Sequence, residues 1–202
     1  MRAVIIGNGN FDNIFEFNEY DYIICADGGY NHAKRYGITP DIIIGDMDSV
    51  KVDITDENTV IYPKEKDFTD GELAVHLAIE KGCEEIVLLG MTGSRLDHTI
   101  ANICLLKSIY ENGKKGYIAD KNNKIYYINR YLELNGLNGK TVSLLPMGGD
   151  LEGISNSGFY YPLNNETICF GSTRGISNVI TDDKANIKLT SGEGIVVITD
   201  GQ

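Results

Sequence analysis

Asp41-Ile42-Ile43-Ile44-Gly45-Asp46-Met47-Asp48-Ser49 joins a continuous apolar run directly to two carboxylates. Three branched residues in succession, bounded by Pro40 and Gly45, predict a strand buried on both faces. At the end of such a strand, Asp46 and Asp48 stand two residues apart and point to the same side. One hard cation fits between them, and Mg²⁺ prefers one or two carboxylates completed by water and phosphate oxygens. The structural alternative is an Asx-turn, in which either Asp bonds its own loop.

Outward from this stretch the same grammar repeats. Apolar runs at 3–7, 22–26, 59–62, 86–89 and 116–119 predict further strands, with helices over 30–36, 73–81 and 96–110. Strand–helix alternation up to residue 120 predicts a doubly wound, mostly parallel α/β/α domain, in which ligands gather outside the carboxyl ends of the strands. The polar motifs fall at those ends. Gly7-Asn8-Gly9-Asn10 is glycine-rich but lacks the GxGxxG spacing, so it carries little dinucleotide signal. In Asp27-Gly28-Gly29 the paired glycines permit positive φ or a close ligand approach. Thr69 with Glu72 fits a capping box that places Asp70 in a first helical turn. Thr92-Gly93-Ser94-Arg95-Leu96-Asp97-His98 runs from a strand into a helix whose free amides suit phosphate, and Arg95 adds a fork for phosphate oxygens. A Ser94–Asp97 helix cap is the competing explanation. The spacing of Leu96, Ile100, Ile103 and Leu106 predicts the buried face of that last helix.

Beyond residue 120 the helical period disappears. Runs at 124–129, 141–145, 157–161, 166–170, 185–189 and 194–199, separated by Gly, Asn or Pro, predict an antiparallel β-sandwich over 121–202. Within it, Gly171-Ser172-Thr173-Arg174-Gly175-Ile176-Ser177-Asn178 is either a long hairpin loop or a set of donors and acceptors for a small polar ligand.

Charge follows this division. The net charge is −11, with 11 Lys+Arg against 21 Asp+Glu in residues 1–120 and 7 against 8 in residues 121–202. Such a balance argues against nucleic-acid or anionic-membrane partners. The acidic half instead suits a site that recruits cations to accept an anionic ligand. The four cysteines show no ligand spacing and read as small core residues in a reducing cytoplasm. No apolar run reaches bilayer length, and the amino terminus is too short to read as a signal peptide.

Taken together and in order, Asp27-Gly28-Gly29, Gly45–Ser49, Lys66–Leu73, Thr92–His98 and Ser177-Asn178 resemble the bacterial thiamine pyrophosphokinase family. The resemblance implies a catalytic, nucleotide-binding domain over 1–120. It also implies a thiamine-binding and dimerisation sandwich over 121–202, and a homodimer. The implied reaction moves a diphosphoryl group from ATP to the thiamine hydroxyl and releases AMP. Asp46, Asp48 and Asp70 would hold Mg²⁺. Asp27, Gly28, Gly29, Thr92, Gly93, Ser94 and Arg95 would bind nucleotide, with Asp97 at the transfer site. Arg174, Ser177 and Asn178 would contact thiamine. Two departures stand out: Ser94 replaces a second glycine, and the chain has no Trp to stack on thiamine. The residues do not distinguish Asp97 as the base from metal-assisted loss of the hydroxyl proton. The competing functions are a Mg²⁺-dependent phosphohydrolase and a non-catalytic thiamine-binding module.

Overall fold

The computed structural model describes residues 1–12, 15–19, 21–45, 59–61 and 67–200, with residues 59–61 described as backbone. Asp46 and Asp48 lie outside the described residues. The chain forms two compact units, Met1–Lys121 and Asn122–Gln202.

The first unit is built on six parallel strands: β1 (Arg2–Ile6), β2 (Asp21–Ala26), β3 (Ile42–Gly45), β4 (Thr59–Ile61), β5 (Glu85–Leu89) and β6 (Lys115–Ala119). Their order is β6-β5-β1-β2-β3-β4. The chain therefore winds outward from β1 to one edge, returns to β5 on the other side of β1, and ends at β6. Strands buried on both faces have no polar side to alternate with, which is why 3–6, 42–44 and 86–89 read as unbroken apolar runs. Val4, Ile6, Cys25, Ile43, Val87 and Leu89 form one core, shared with Tyr30 and Ala33 of α1 (Gly29–Tyr36). Ile5, Ile24, Ile44, Ile86 and Leu88, one residue out of phase, are equally buried and face the other way.

Helix α2 (Asp70–Glu80) packs on β1, β2 and β3, and α3 (Leu96–Glu111) packs on β6. The Thr69 hydroxyl accepts the Glu72 amide at 3.2 Å, as the capping pattern predicts. The face expected for α3 holds at Leu106, which is buried, and is corrected by the structure at its amino-terminal end. Leu96 and Ile100 are 66% and 53% exposed, whereas Leu106 and Ile109 are buried. A Cβ at Gly116 of β6 would stand 2.7 Å from Ile109 Cγ2. This close approach seats the helix on its Leu106–Ile109 side, so the stripe begun by Leu96 turns outward. The cysteines divide as well: Cys25 and Cys83 are buried, but Cys104 and Cys169 are exposed and all four are free.

The second unit is a sandwich of two antiparallel sheets. One has the order β12-β9-β14-β7 and the other β11-β10-β13-β8. The strands are β7 (Asn123–Ile128), β8 (Tyr131–Asn135), β9 (Thr141–Pro146), β10 (Leu151–Ser157), β11 (Glu166–Ile168), β12 (Asn178–Val179), β13 (Lys184–Lys188) and β14 (Gly194–Thr199). Inward residues from both sheets, including Leu134, Leu144, Ile154, Ile187 and Val196, share one core. Strand β10 escapes a periodicity search because Gly153, at φ +61°, shifts its register between Leu151 and Ile154. The run 157–161 is not a strand. Gly158 adopts φ +78° and ends β10, leaving Tyr160 and Tyr161 66% and 61% exposed. Among the described residues, no helix is long and apolar enough to cross a membrane.

Candidate functional site

The winding of the first unit reverses between β1 and β5, and the loops leaving these two strands hold each other. Gly7 N donates to Leu89 O at 2.8 Å, Gly9 N to Gly90 O at 2.7 Å, and Asn10 N to Thr92 O at 2.6 Å. No side chain fits in this seam: a Cβ at Gly9 would stand 2.2 Å from Thr92 O. The Gly7–Asn10 turn, weak as a dinucleotide motif, is thus half of a paired loop at the point where parallel α/β sheets bind ligands.

Beside it, Gly28 and Gly29 satisfy the protein itself. A Cβ on Gly28 would meet the Asn8 amide group at 2.3 Å, and one on Gly29 would meet Ile6 O at 1.9 Å. Glycine here lets the start of α1 close onto the end of β1. Asp27, at the end of β2, holds a left-handed φ of +48° and donates its amide to Ile44 O at 2.7 Å. Its Oδ1 is buried and has no hydrogen-bond partner among the described residues. A carboxylate oxygen so placed needs a cation or a donor. A Cβ built on Gly45 would lie 3.1 Å from Asp27 Cα, so Asp27 adjoins the point where the Asp46–Asp48 stretch departs. Asp70 opens α2. Its neighbour Gly71 lies against Met91 of the β5 loop and Asn102 of α3, and Asn102 Nδ2 donates to Met91 O at 2.8 Å. The fold therefore brings Asp27 and Asp70 to the same carboxyl edge as the Thr92–Asp97 loop. No group of three His, Cys, Asp or Glu side chains among the described residues closes around a metal.

In the phosphate-loop candidate, Gly93 N is already engaged by Thr99 Oγ1 at 3.1 Å. Arg95 is the N-cap of α3 without a side-chain cap bond, so the Ser94–Asp97 cap is absent. The guanidinium instead grips Asp97, with Nε at 3.1 Å from Oδ1 and an Nη at 2.5 Å from Oδ2, and both side chains are exposed. This hydrogen-bonded fork holds the Asp97 carboxyl down at about 2. The pair is available, uncapped and solvent-facing, to meet an anion. Lys at position 95 keeps the charge but not the fork. If Arg95 binds nucleotide, as the resemblance implies, Arg95→Lys should raise the apparent KM for ATP about tenfold and lift the Asp97 titration toward the ordinary carboxylate value, read by carbon-13 NMR. The sign follows from the depressed folded-state pKa. The pair's small stabilising effect is complete above the unfolded value and fades as pH falls toward about 2.

The second unit carries its own cleft of about 210 Å³, floored by Leu144, Phe159, Leu163 and Ile187 and lined also by Tyr161, Arg174 and Asn178. Asn178 Nδ2 donates to Tyr161 O at 2.7 Å, and Tyr161 N donates to Asn178 Oδ1 at 3.0 Å. Asn156 Nδ2 adds a third bond to Tyr161 O at 3.2 Å. Asn178 thus spends its amide on holding Tyr161 in place. Ser177 adopts φ +61° and donates its amide to Ser143 Oγ at 3.1 Å; it is not among the cleft residues. Arg174 is paired with Glu166. Reading residues alone took Gly7-Asn8-Gly9-Asn10 only as a weak dinucleotide turn and did not single out Tyr161.

Comparison with known proteins agrees with this geometry. Residues 15–118 match the family model described as thiamin pyrophosphokinase, catalytic domain, and residues 126–196 match the thiamin pyrophosphokinase vitamin B1 binding domain. Thiamine pyrophosphokinase of Bacillus subtilis is 32% identical over 188 residues, spanning 89% of this chain and 88% of that protein. Its crystal structure superposes with a TM-score of 0.89 at 28% identity over the whole of both chains. The crystal structure of thiamin pyrophosphokinase from Geobacillus thermodenitrificans gives 0.88 at 27% identity, covering 100% of this chain and 99% of that one. Two family models laid end to end over the two units, with a relative matched along nearly its full length, place this chain in the thiamine pyrophosphokinase family.

Proposed function

We propose that this enzyme transfers the β,γ-diphosphoryl group of ATP to the hydroxyl of thiamine, giving thiamine diphosphate and AMP. The observation that carries the reading is the joint match to a catalytic and a vitamin B1 binding domain, one on each compact unit. The thiamine oxygen forms a bond to the β-phosphorus, the bond between that phosphorus and the α-phosphate oxygen breaks, and AMP leaves.

Asp46, Asp48 and Asp70 are the proposed holders of Mg²⁺, joined by Asp27, whose buried oxygen, without a partner among the described residues, fits a cation. Bound Mg²⁺ would neutralise phosphate charge during transfer. It would also let a strongly acidic unit accept a polyanion. Thr92, Ser94 and Arg95 are proposed to receive the phosphates. A carboxyl held at about 2 is a poor base at neutral pH. Asp97 therefore serves to aim Arg95, and the hydroxyl proton passes to water as the bond to phosphorus forms. In the sandwich, Tyr161 supplies the aromatic face that the missing Trp does not. An exposed phenol ring fixed through its backbone can stack on a flat cationic ligand. A homodimer working in the cytoplasm completes the reading.

Incubation with Mg²⁺, ATP and thiamine tests it. AMP and thiamine diphosphate should appear in equal amounts, and neither without thiamine. ADP or phosphate released without thiamine would make the protein a hydrolase, and binding without turnover would make it a carrier. Tyr161→Ala should raise the KM for thiamine about tenfold while that for ATP stays put, with Tyr161→Phe close to wild type. Asn178→Ala should follow Tyr161→Ala, because it frees the same backbone, and Ser177→Ala should be milder. Unchanged thiamine kinetics in Tyr161→Ala would remove the ring from the site.

A further inference from the structure

The paired loops between β1 and β5 are tied at each end by a side chain that the reaction just described does not use. At one end, His32 of α1 lies with Nε2 3.0 Å from Gly9 O. A carbonyl only accepts, so Nε2 carries the proton in this bond. The Phe11 ring stacks on the imidazole with centroids 5.2 Å apart and planes at 25°, and it also touches Tyr36 at 5.5 Å. The histidine is thus oriented by an aromatic neighbour on the same loop. At the other end, Thr92 Oγ1 donates to Asp120 Oδ2 at 2.9 Å, just past β6. Between the two run the bonds from Gly9 N to Gly90 O and from Asn10 N to Thr92 O.

We infer that His32 and Asp120 are positioning residues for the nucleotide, acting through this strap across the sheet edge to set where the Thr92–Arg95 segment stands. This rests on the proposal that ATP phosphates sit on that segment. Three features favour positioning over general stability. The strap ends at the loop that opens α3, and its bonds join loops after three different strands. Its seam is also so tight that a Cβ at Gly9 would collide with Thr92 O at 2.2 Å. Movement of Gly9 is therefore passed to Thr92 rather than absorbed. A shift of about 1 Å in a group that aligns a substrate can cost up to about a hundredfold in rate.

The test measures steady-state kinetics for both substrates, together with thermal melting. His32→Ala should lower kcat/KM for ATP by about 10- to 100-fold while the KM for thiamine stays within about twofold. His32→Gln should restore most of the loss, because its amide N–H reaches as far as Nε2. Asp120→Ala should act in the same direction, and Asp120→Asn, which still accepts the Thr92 hydroxyl, should recover. The double alanine variant should lose less than the product of the two single losses, since both cut one strap. ATP kinetics within about twofold of wild type in His32→Ala, or equal losses for both substrates with a lowered melting temperature and no rescue by Gln, would overturn the inference. Wild-type protein that makes no AMP would instead refute the kinase reading. Calorimetric titration with ATP then decides the strap separately: weaker binding in His32→Ala, restored in His32→Gln, supports it, and equal or undetectable binding throughout overturns it.

Discussion

Asp27→Asn should lose about a hundredfold or more in turnover while melting no lower than the wild-type protein. The side chain keeps its size, and Asn tolerates the left-handed backbone that residue 27 adopts at φ +48°. What disappears is a negative charge whose Oδ1 is buried and has no hydrogen-bond partner among the described residues. An unmet buried acceptor costs roughly 1–3 kcal/mol, so a neutral amide is no burden to the metal-free fold. A group that destabilises the fold yet is needed for turnover is one placed for a ligand. The variant should also require more Mg²⁺ for half-maximal rate. Activity within tenfold of wild type would take Asp27 out of the site, and a large fall in melting temperature would make it structural. The equivalent changes at Asp46, Asp48 and Asp70 should show the same raised Mg²⁺ requirement.

Gly90→Ala should cost roughly 2–5 kcal/mol of stability and remove activity further than the loss of folded protein explains. Two penalties combine. Gly90 sits at φ +64°, which costs an L-residue about 1–2 kcal/mol. Its new methyl would stand 2.4 Å from Gly7 O, an overpacking worth roughly 1–3 kcal/mol. Relief of that clash separates the β1 and β5 loops, so the bonds from Gly7 and Gly9 go with it. Gly113→Ala is the control. Its φ of +71° is comparable, but its Cβ would meet nothing within 4 Å. Urea titration should show it losing only the backbone penalty, with normal ATP kinetics. Equal losses in the two variants would mean that the seam between the loops carries no special constraint.

In the first unit, the order of strands and helices along the chain was legible because burial leaves a mark on each segment alone. Ile42–Ile44 and the runs at 3–6 and 86–89 are apolar throughout because both of their faces are covered. The stretch 141–144, Thr-Val-Ser-Leu, alternates because only one face meets a core. The Thr69 cap was legible for the same local reason, since its partner Glu72 lies one helical turn away. Carboxylates at strand ends were visible too, as a spacing and a place.

Other features depended on which distant segments meet. Phe159-Tyr160-Tyr161 has strand propensity, but Gly158 turns the chain, and Asn178 and Asn156 then hold Tyr161 outward. Leu96 and Ile100 have helical spacing like any core stripe, but the fit of Ile109 against Gly116 decides that they face solvent. Arg95 read in the sequence as a fork suited to phosphate oxygens, whereas its hold on Asp97 follows from the side-chain geometry. By itself, the sequence determined two regions of opposite periodicity and a set of acidic and glycine-rich strand ends, because propensity and burial act over a few residues. Only the tertiary structure decided that β5 returns beside β1, so that two glycine loops 81 residues apart close on each other through Gly9 N and Gly90 O. Hydrogen bonds and close packing between remote segments depend on strand order, which the local pattern of either segment does not carry.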